Sequence, residues 1–329
     1  MEVQYKILIV LGIMAFVWVA IFAILGIVLL VSYICYYKTF YSPSNREKRN
    51  DTQNVLKKVE FIFEAYGDQL INWRKEVEAI PHEDIFIDAF DGTKLHAKYY
   101  RTKDGAPIEI LFHGYRGSAD RDMNAAIKRA IENDRNVLAV DHRGGGKSKG
   151  TSITFGINES RDCVNWVNYA VDNIDKNAKI MLCGVSMGAA TVLMASGMGL
   201  PKNVACIVAD CGYTSAKEMI MDTVRGMHLP AKLLYPFIKL GGKVFGHFDI
   251  DEITPLELVP KSTVPTIFFH GDSDAFVPCE MSKKNYEACG ASVKKFVTIK
   301  GAGHATAYLT DPETYKKELF AFINPLLYN

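Results

Sequence analysis

The longest apolar stretch of the chain lies near its beginning. Residues 7–37 contain no formally charged side chain, and Lys6 and Lys38 flank them. About 20 apolar residues suffice to cross a bilayer, whereas the apolar part of a cleavable signal peptide is about 7 to 15 residues long. Tyrosines cluster near the ends of the run, where aromatic rings favour the headgroup layer. The pattern predicts an uncleaved transmembrane anchor over residues 1–40.

A polar linker and a second helical pattern follow the anchor. Residues 45–54 are polar and charged, which is typical of a linker. Over residues 55–77 apolar side chains then recur at helical spacing: Val55, Val59, Phe61, Phe63, Leu70, Ile71 and Trp73. We therefore assign residues 41–80 to a linker and an amphipathic helix that leans on a globular domain formed by residues 81–329.

From residue 84 the apolar period changes to that of β-structure. Apolar and polar residues alternate on both sides of the turn signal Asp91-Gly92, which predicts a β-hairpin. Short apolar runs then alternate with amphipathic stretches, at residues 108–112, 137–140, 179–183, 204–209, 266–269 and 295–299. This pattern predicts an α/β fold with a mostly parallel twisted sheet and helices on both faces. In such sheets the chemistry collects in the loops after the strands.

Charge and cysteine content narrow the possible functions. The chain has 329 residues, a formal net charge of +1 and seven scattered cysteines without a Cys-x-x-Cys spacing. No basic stripe is present to hold nucleic-acid phosphates, so nucleic acid is not expected as a partner. No zinc site or redox dithiol is expected either, and we predict no metal and no cofactor. Most of the cysteines lie in apolar runs, as buried thiols do.

The charges around the anchor predict its orientation. Lys6 precedes the anchor, whereas Lys38, Arg46, Lys48 and Arg49 follow it. Because basic flanks stay on the cytoplasmic side, the globular domain is expected in the cytoplasm. The sequence Asn158-Glu159-Ser160 fits a glycosylation site, but its place before a helical pattern favours Asn158 as a helix N-cap.

A nucleophile motif follows the strand predicted at residues 179–183. The sequence Gly184-Val185-Ser186-Met187-Gly188 has the form G-x-S-x-G, and a helix rich in small residues comes next. A sharp turn between strand and helix strains the serine backbone, and the glycines let neighbouring chain pass. The helix N-terminus favours the negative charge that develops during attack on a carbonyl. Ser186 is therefore the candidate nucleophile; the alternative is a bystander serine in a tight turn.

The base and acid that a serine nucleophile needs are expected in later loops. Nucleophile elbows of this kind are followed along the chain by the acid and then by the histidine. Asp272 and Asp274 follow the strand at residues 266–269, and His304 follows the last strand. His304 is the candidate base, with a purely structural loop histidine as the alternative. Asp274, Asp272 and, more remotely, Asp210 remain open as the acid.

Together these motifs resemble the α/β-hydrolase superfamily, in its serine-aminopeptidase-like and acylglycerol-lipase-like branch. The resemblance runs from residue 85 to the C-terminus and rests on a His-Gly pair, Asp-x-Arg-Gly-x-Gly-x-Ser, Gly-x-Ser-x-Gly, Gly-Asp-x-Asp and Gly-x-Gly-His. It implies an α/β-hydrolase fold in which Ser186 is the nucleophile, Asp274 the acid and His304 the base. Asp272 would brace its loop by hydrogen bonds to backbone amides.

An oxyanion hole is expected beside the nucleophile. Acyl transfer needs amide donors for the developing oxyanion, and one comes from Met187, the residue after the nucleophile. The resemblance implies that Tyr115, in the loop after the first parallel strand, supplies the other. His113 in the same loop is expected to be a structural brace, and Arg116 is either a solvated charge or a substrate contact.

The sequence Gly146-Lys147-Ser148 superficially matches the end of a phosphate-binding loop. The spacing of that motif requires a glycine where Asp141 stands, so nucleotide binding is not expected. The resemblance implies instead a structural turn beside the active site, with Arg143 in internal hydrogen bonds.

A long insertion, residues 213–263, separates the strands at 204–209 and 266–269. Short helices with apolar faces are predicted at residues 216–221 and 231–238, which would form a small lid over Ser186. Six of its apolar side chains either line an acyl pocket or only pack the lid onto the core: Met219, Met221, Leu233, Leu234, Tyr235 and Phe237.

The substrate class is the last prediction from the sequence. The lid has no acidic cluster to bind a free amino group, so acyl esters are favoured over aminopeptidase substrates. We predict a membrane-anchored serine hydrolase that cleaves small-molecule or lipid-like carboxylic esters through an acyl-enzyme. A peptidase or amidase with the same triad and a catalytically silent, membrane-bound binding module are the alternatives.

Overall fold

The structure, a computed structural model, describes residues 1–43 and 52–328, with side chains from residue 65 onward in the second range. Its helices are α1 (Glu2–Thr39), α2 (Thr52–Glu78), α3 (Ala119–Asp122), α4 (Asn124–Ile131), α5 (Ile157–Tyr169), α6 (Met187–Ser196), α7 (Ala216–Gly226), α8 (Ala231–Phe245), α9 (Pro255–Leu258), α10 (Cys279–Ala288), α11 (Ala307–Thr310) and α12 (Pro312–Leu327). Its strands are β1 (Glu83–Asp88), β2 (Lys94–Tyr100), β3 (Ile108–Phe112), β4 (Asn136–Asp141), β5 (Ile180–Val185), β6 (Val204–Asp210), β7 (Thr266–Gly271) and β8 (Lys294–Ile299).

All eight strands of the described chain form one sheet, in the order β1-β2-β4-β3-β5-β6-β7-β8. Strand β2 is antiparallel to both β1 and β4, and the remaining neighbours are parallel. The predicted hairpin is confirmed, because Ile87 pairs with Leu95 across the turn at Asp91-Gly92. The predicted α/β class with a mostly parallel sheet is also confirmed.

Helices cover both faces of the sheet. On one face α4 and α12 bury Ile127, Leu319 and Ile323 against residues of the central strands such as Leu111. On the other face α5 and α6 bury Trp166 and other side chains against the alternate strand residues such as Ile110. Apart from Glu109 of β3, which pairs with the buried Arg129 and Arg135, the central strands are apolar on both sides, which explains their apolar runs in the sequence.

Several strands extend further toward the site than predicted. The apolar runs ended at Cys183, Ala209 and Phe269, whereas the strands end at Val185, Asp210 and Gly271. Except for Val185, the added residues are glycines or polar residues, which apolar periodicity does not detect. The candidate site residues therefore lie at or directly after the ends of the hydrogen-bonded strands, and the backbone hydrogen bonds of the sheet fix their positions.

The insertion at residues 213–263 contains α7 and α8, and both helices are longer than predicted. Helix α8 continues through Gly241 and Gly242, residues that weaken a helix and hid its second half in the sequence. A side chain at 241 would collide with the carbonyl oxygen of Ser32 in α1, so the glycine permits close packing of the two helices. Met219 and Tyr235 are buried, whereas Leu233 is 65% exposed.

Helix α1 is exposed over most of its length and embedded at its end. Among the described residues it alone is long and apolar enough to cross a membrane, with a mean hydropathy of 3.0. Ser32 and Tyr36 on its last turns are buried, and Phe40 directly after it is fully buried. Tyr36 hydrogen-bonds through its hydroxyl to the Ser152 hydroxyl at 2.8 Å. The apolar helix and the domain are therefore joined by packing as well as by the chain.

The second helical pattern is α2, which begins at Thr52, inside the segment predicted to be linker. Residues 44–51 and the side chains of Val55, Val59, Phe61 and Phe63 lie outside the described residues. Further along, Trp73 packs its ring 6.0 Å from that of Tyr308, and Val77 is buried. The C-terminal part of α2 thus rests on the domain.

Helix α5 begins earlier than the Asn158 N-cap prediction requires, and that prediction was wrong. The N-cap is Gly156, in the left-handed region with φ 92°. The Glu159 carboxylate accepts hydrogen bonds from the amides of Thr154 and Gly156, both at 2.8 Å. This buried carboxylate satisfies the N-cap amide, and the Thr154 hydroxyl accepts the Asn158 amide at 2.8 Å, so no side-chain cap from Asn158 is needed.

Candidate active site

Ser186 lies in the sharp turn between β5 and α6. Its backbone has φ 57° and ψ −116°, a region that non-glycine residues rarely occupy. A side chain on Gly188 would collide with the carbonyl oxygen of Phe112, and one on Gly184 would collide with the carbonyl of Gly188. The two glycines of the motif thus allow strand β3 and helix α6 to approach the turn closely.

A continuous chain of hydrogen bonds starts at Ser186. The Oγ of Ser186 is 2.9 Å from Nε2 of His304, and Nδ1 of His304 is 2.8 Å from Oδ2 of Asp274. A carboxylate can only accept, so Nδ1 carries the proton and Nε2 is free to accept from the serine hydroxyl. The structure therefore brings together the three side chains that the sequence singled out as nucleophile, base and acid.

Asp274 is buried and held on all sides by donors. Its Oδ1 accepts the amides of Phe276 and Val277 at 2.9 and 2.8 Å, and its Oδ2 also lies 3.2 Å from Nε2 of His270. Burial alone would raise the pKa of Asp274, but the hydrogen bonds from His270, His304 and Val277 outweigh it and hold the pKa well below its ordinary value. The carboxyl is therefore ionised throughout the range in which a histidine base works.

His270 is a residue of the site that the sequence analysis missed. It is the penultimate residue of β7, is fully buried, and places Nδ1 2.7 Å from the Ser282 hydroxyl. Its Nε2 also lies 2.8 Å from the carbonyl oxygen of Val277, so it ties together both ends of the Asp274 loop. Its place directly before the Gly-Asp-x-Asp motif was the only signal available.

The two alternative acids have other roles in the structure. Asp272 is exposed and accepts the Gly301 amide at 2.7 Å, which links its loop to the one that carries His304. Asp210 is buried at the end of β6, and its backbone carbonyl accepts the Ser186 amide at 2.8 Å. Burial raises the pKa of Asp210 to about 6, although a hydrogen bond from Tyr315 opposes the shift. Neither carboxylate hydrogen-bonds to His304 in the described structure.

The loop after β3 passes over the nucleophile. A Cβ on Gly114 would lie 3.6 Å from that of Ser186, so the backbone of this loop is in contact range of the reacting group. His113 donates from Nδ1 to the Gly114 carbonyl at 2.7 Å and accepts the His142 amide at Nε2 at 3.0 Å. His113 is therefore a brace of the loop. Met187 begins α6, whose first-turn amides have no partner within the helix.

The side chains of Tyr115 and Arg116 are directed to the end of α1. The Tyr115 hydroxyl donates to the carbonyl of Thr39 at 2.6 Å, and the Arg116 guanidinium donates to the carbonyl of Lys38 at 2.8 Å. Both carbonyls belong to the last turn of a helix, which lacks intrahelical donors. Arg116 is thus neither a solvated charge nor, in this structure, placed as a substrate contact, because it caps α1.

The Gly146-Lys147-Ser148 turn wraps around a carboxylate of its own. Asp141 accepts the amides of Ala119 at 3.0 Å and Lys147 at 2.9 Å, and a side chain on Gly146 would collide with that carboxyl group. A phosphate has no room there, as the spacing predicted. Arg143 donates to Asp162 at 2.7 Å and to Asp91 at 2.8 Å, which confirms its internal hydrogen bonds.

One trio of potential metal ligands lies in the described residues. Ligand atoms of Cys211, Asp274 and His304 lie within 4.8 Å of one another. Two of these groups are already hydrogen-bonded to each other, and burial, with the nearby Asp210 and Asp274, raises the pKa of the Cys211 thiol well above its ordinary value. A protonated thiol is a poor metal ligand, so the trio suits a proton relay better than an ion.

Comparisons with known proteins agree with this architecture. Residues 110–234 match the family model described as the α/β hydrolase fold. The chain is 27% identical over 190 residues to the uncharacterized protein YqkD of Bacillus subtilis, a match that covers 57% of this chain and only 62% of YqkD. It is 22% identical over 278 residues to the protein bem46 of Schizosaccharomyces pombe, covering 84% and 82% of the two chains.

The solved structures support the same fold. The Pyrococcus furiosus esterase Pf2001 superposes with a TM-score of 0.64 at 24% sequence identity, covering 77% of this chain and 94% of the esterase. At this identity the likeness establishes the fold, and the predicted α/β-hydrolase fold is thereby confirmed.

Proposed function

We propose that this chain, which has the α/β-hydrolase fold, is a serine hydrolase that cleaves carboxylic acyl esters. Ser186 is the nucleophile, His304 the base and Asp274 the acid. The observation that carries the proposal is the unbroken hydrogen-bond path from the Ser186 hydroxyl through the His304 imidazole to the Asp274 carboxylate, at 2.9 and 2.8 Å.

The first half-reaction forms an acyl-enzyme. As Oγ of Ser186 attacks the ester carbonyl carbon, its proton passes to Nε2 of His304. The buried Asp274 carboxylate holds Nδ1–H and stabilises the imidazolium that results. The tetrahedral intermediate then expels the alkoxide, which takes the proton from Nε2 and leaves as the alcohol.

The second half-reaction returns the enzyme to its starting state. Water replaces the alcohol, gives a proton to His304 and attacks the acyl carbon, and the carboxylic acid leaves as Oγ of Ser186 recovers its proton. The backbone amides of Met187 and Tyr115 receive the oxyanion in both halves. The Met187 amide is supported by its place at the start of α6, and the Tyr115 amide by the close approach of its loop to Ser186.

An apolar neighbour of the base supports esters over charged substrates. The Phe276 ring stands edge-on to the His304 ring at 5.0 Å and is 43% exposed. An apolar alcohol or acyl group that lies on this ring gains by burial without a charged partner. Peptidase activity would show itself as cleavage of aminoacyl amides where short esters fail.

We also propose that α1 anchors the enzyme in a membrane with the catalytic domain on the cytoplasmic side. Its length, its mean hydropathy of 3.0 and the basic residues that follow it support this arrangement. Protease added to intact cells should leave the domain uncut and should digest it after permeabilisation. Digestion in intact cells would show that the catalytic domain lies on the outer side of the membrane.

A fluorophosphonate probe tests the catalytic proposal. The full chain, solubilised in mild detergent, should be labelled and should hydrolyse p-nitrophenyl esters. Ser186→Ala should lose both labelling and hydrolysis, whereas Ser292→Ala, at an exposed serine before β8 and at the opposite edge of the sheet, should retain both. A folded wild-type chain that neither binds the probe nor cleaves any ester of the series would instead be a silent binding module.

A further inference from the structure

Helix α8 carries an apolar stripe that the rest of the described chain covers only in part. Leu233, Phe237, Leu240 and Val244 recur at spacings of four, three and four residues, which places them on one side of the helix. Leu233 is 65% and Val244 is 41% exposed, and the two residues between them are half-buried. The stripe therefore runs nearly the full length of α8.

The side of α8 that packs on the domain is a different one. Ala231, Tyr235 and Gly242 are buried there, and Gly242 approaches the Phe40 and Phe248 rings. Since an α-helix turns by about 100° per residue, these positions lie on the face opposite Leu240 and Val244. The helix needs its buried face to hold the fold, but folding does not explain the second, outward stripe.

Basic residues border one edge of the stripe. Lys232, Lys239 and Lys243 occupy the next positions around the helix, and Lys232 and Lys243 are exposed. Lys239 and Lys243 are oriented by Asp251 and Asp249, at 2.7 and 2.8 Å. An apolar stripe with a lysine border is the pattern of helices that lie in the plane of a membrane surface.

Helix α1 borders the other edge. The Phe245 ring packs 5.2 Å from that of Tyr33, and Gly241 lies against Ser32 and Tyr36. Position 241 lies about 40° around the helix from 237, and 245 lies about 40° beyond 241. The apolar stripe is therefore continuous with the exposed apolar surface of α1, which is the candidate membrane span.

We propose that α8 is a second membrane-contacting helix, which lies in the lipid interface beside α1. Leu233, Phe237, Leu240 and Val244 contact the acyl chains of the bilayer, and the lysines face the headgroups. Met227 and Leu229, exposed in the connection from α7, extend the same contact. The inference rests on the proposed anchoring by α1, and it adds a lipid-binding surface on the insertion above the active site.

The placement has a consequence for how substrate reaches Ser186. The insertion that contains α8 leaves the sheet at the carboxyl end of β6, next to the nucleophile, and the loop of Tyr115 is hydrogen-bonded to the end of α1. An α8 seated in the lipid interface therefore turns the opening of the active site toward the membrane surface. Esters dissolved in the bilayer are then within reach without crossing bulk water.

Tryptophan fluorescence in lipid vesicles tests the contact. Val244→Trp probes the stripe, and Val293→Trp is the matched control, because Val293 is similarly exposed at 47%. Val293 directly precedes β8 and so lies at the opposite, amino-terminal edge of the sheet. Both full-length variants, and the wild type for subtraction, are reconstituted in phosphatidylcholine vesicles with and without bromine on the acyl chains.

The added Val244→Trp emission should be blue-shifted and should lose most of its intensity in brominated lipid, whereas the Val293→Trp emission should not change. Equal, unquenched emission from both variants would overturn the proposal. A blue shift without bromine quenching that disappears on dilution would also overturn it, in favour of contact with a second copy. Leu233→Trp repeats the test if Val244→Trp does not fold.

The native Trp18 in α1 separates this result from the proposals on which it rests. Because the chain also contains Trp73 and Trp166, the emission of Trp18 is taken as the difference between the wild type and Trp18→Phe. Quenching of this difference by brominated lipid shows that α1 is inserted, so that a negative result for Val244→Trp then concerns α8 alone. If the Trp18 emission is not quenched, the proposed anchoring by α1 is contradicted, and so is the proposed contact of α8 with lipid. Fluorophosphonate labelling of the same vesicles reports on Ser186 independently of either outcome.

Discussion

Asp274, the proposed acid, is fixed more firmly than His304, the proposed base. Asp274 receives four hydrogen bonds, from two backbone amides and two imidazoles, whereas His304 is held by Asp274 and contacts Phe276. The Asp274 carboxylate is held rigidly, and the His304 imidazole is more accessible. This arrangement suits an imidazole that accepts a proton from one group and returns it to another.

Asp274→Asn should abolish most of the activity. An asparagine amide can donate to Nδ1, which favours the His304 tautomer with the proton on Nε2, where it cannot accept from Ser186. In well-studied triads this change costs about four orders of magnitude in kcat. Steady-state ester hydrolysis measures the effect, and Asp272→Asn is the matched control, for which we expect a small loss. Equal losses in both variants would contradict the assignment of Asp274.

His270→Gln tests the second imidazole on the same carboxylate. A glutamine keeps a donor toward Asp274 but lacks the ring that also reaches Val277 and Ser282, so the loop loosens. We expect lower kcat with little change in KM, because the substrate does not contact His270. Because a loosened loop weakens the hydrogen bonds that hold the pKa of Asp274 below its ordinary value, that pKa should rise, and the loss of activity on the acidic side of the pH–rate profile should begin at a higher pH. An unchanged profile with reduced protein stability would mean that His270 is only structural.

Asp210 predicts a distinct dependence of stability on pH. Burial raises its pKa from 3.8 to about 6, so between these values the folded protein keeps a proton that the unfolded chain releases. The free energy of unfolding from this group is therefore fully present below about pH 4 and lost as the pH rises through about 6. At about 1.4 kcal/mol per pKa unit, the loss is about 3 kcal/mol.

Asp210→Asn should remove that dependence. Relative to the wild type, the variant should gain about 3 kcal/mol in the free energy of unfolding between pH 4 and pH 7. Denaturant unfolding at the two pH values measures the difference, and contributions from other titrating groups cancel in the comparison. Parallel pH curves for the two proteins would show that Asp210 is ionised in the folded state.

At the scale of elements, the turn between β5 and α6 depends on close packing. Gly188→Ala should destabilise the protein by about 1–3 kcal/mol and reduce probe labelling, because the added methyl group collides with the Phe112 carbonyl. Gly226→Ala is the matched control: nothing lies within 4 Å of a side chain there, so stability should be unchanged or slightly increased. Thermal unfolding and fluorophosphonate labelling read out both variants.

The elements that could be predicted from sequence are those with a local signature. A buried parallel strand is recognised by its apolar run, and the turn at Ser186 by the two glycines around it. Both features can be predicted because they depend on residues that are close in the sequence. The hairpin around Asp91-Gly92 followed for the same reason. The positions of Asp274 and His304 were also predictable, since each lies in a loop after a strand at the same edge of the sheet.

The features that could not be predicted depend on contacts between distant segments. Arg116 caps a helix more than seventy residues earlier, and the glycines of α8 make sense only against α1. The start of α5 was misjudged because Glu159, within the helix, performs the capping role expected of Asn158. His270 was missed because its partner in the structure is a carboxylate already assigned to another histidine.

At the scale of the whole molecule, Phe40 connects the apolar helix to the domain. Its ring packs edge-on against Phe155 at 5.9 Å and Phe248 at 5.0 Å, and it is fully buried. Phe40→Ala should cost about 3–5 kcal/mol of stability in detergent. Phe22→Ala, at a 64% exposed position of the same helix, should cost little. Equal melting temperatures for the two variants would mean that the helix end is not seated in the domain.

The hydrogen bonds from Tyr115 and Arg116 to the last turn of α1 fix the orientation of this helix relative to the catalytic domain. A continuous helix transmits rotation, so one alanine inserted near Leu25 would turn the outer part of the span by about 100° and lengthen it by about 1.5 Å relative to the core. In vesicles the insertion should therefore change which face of the catalytic domain is turned toward the lipid. If a flexible linker joined α1 to the domain, the same insertion would not change the orientation of the domain.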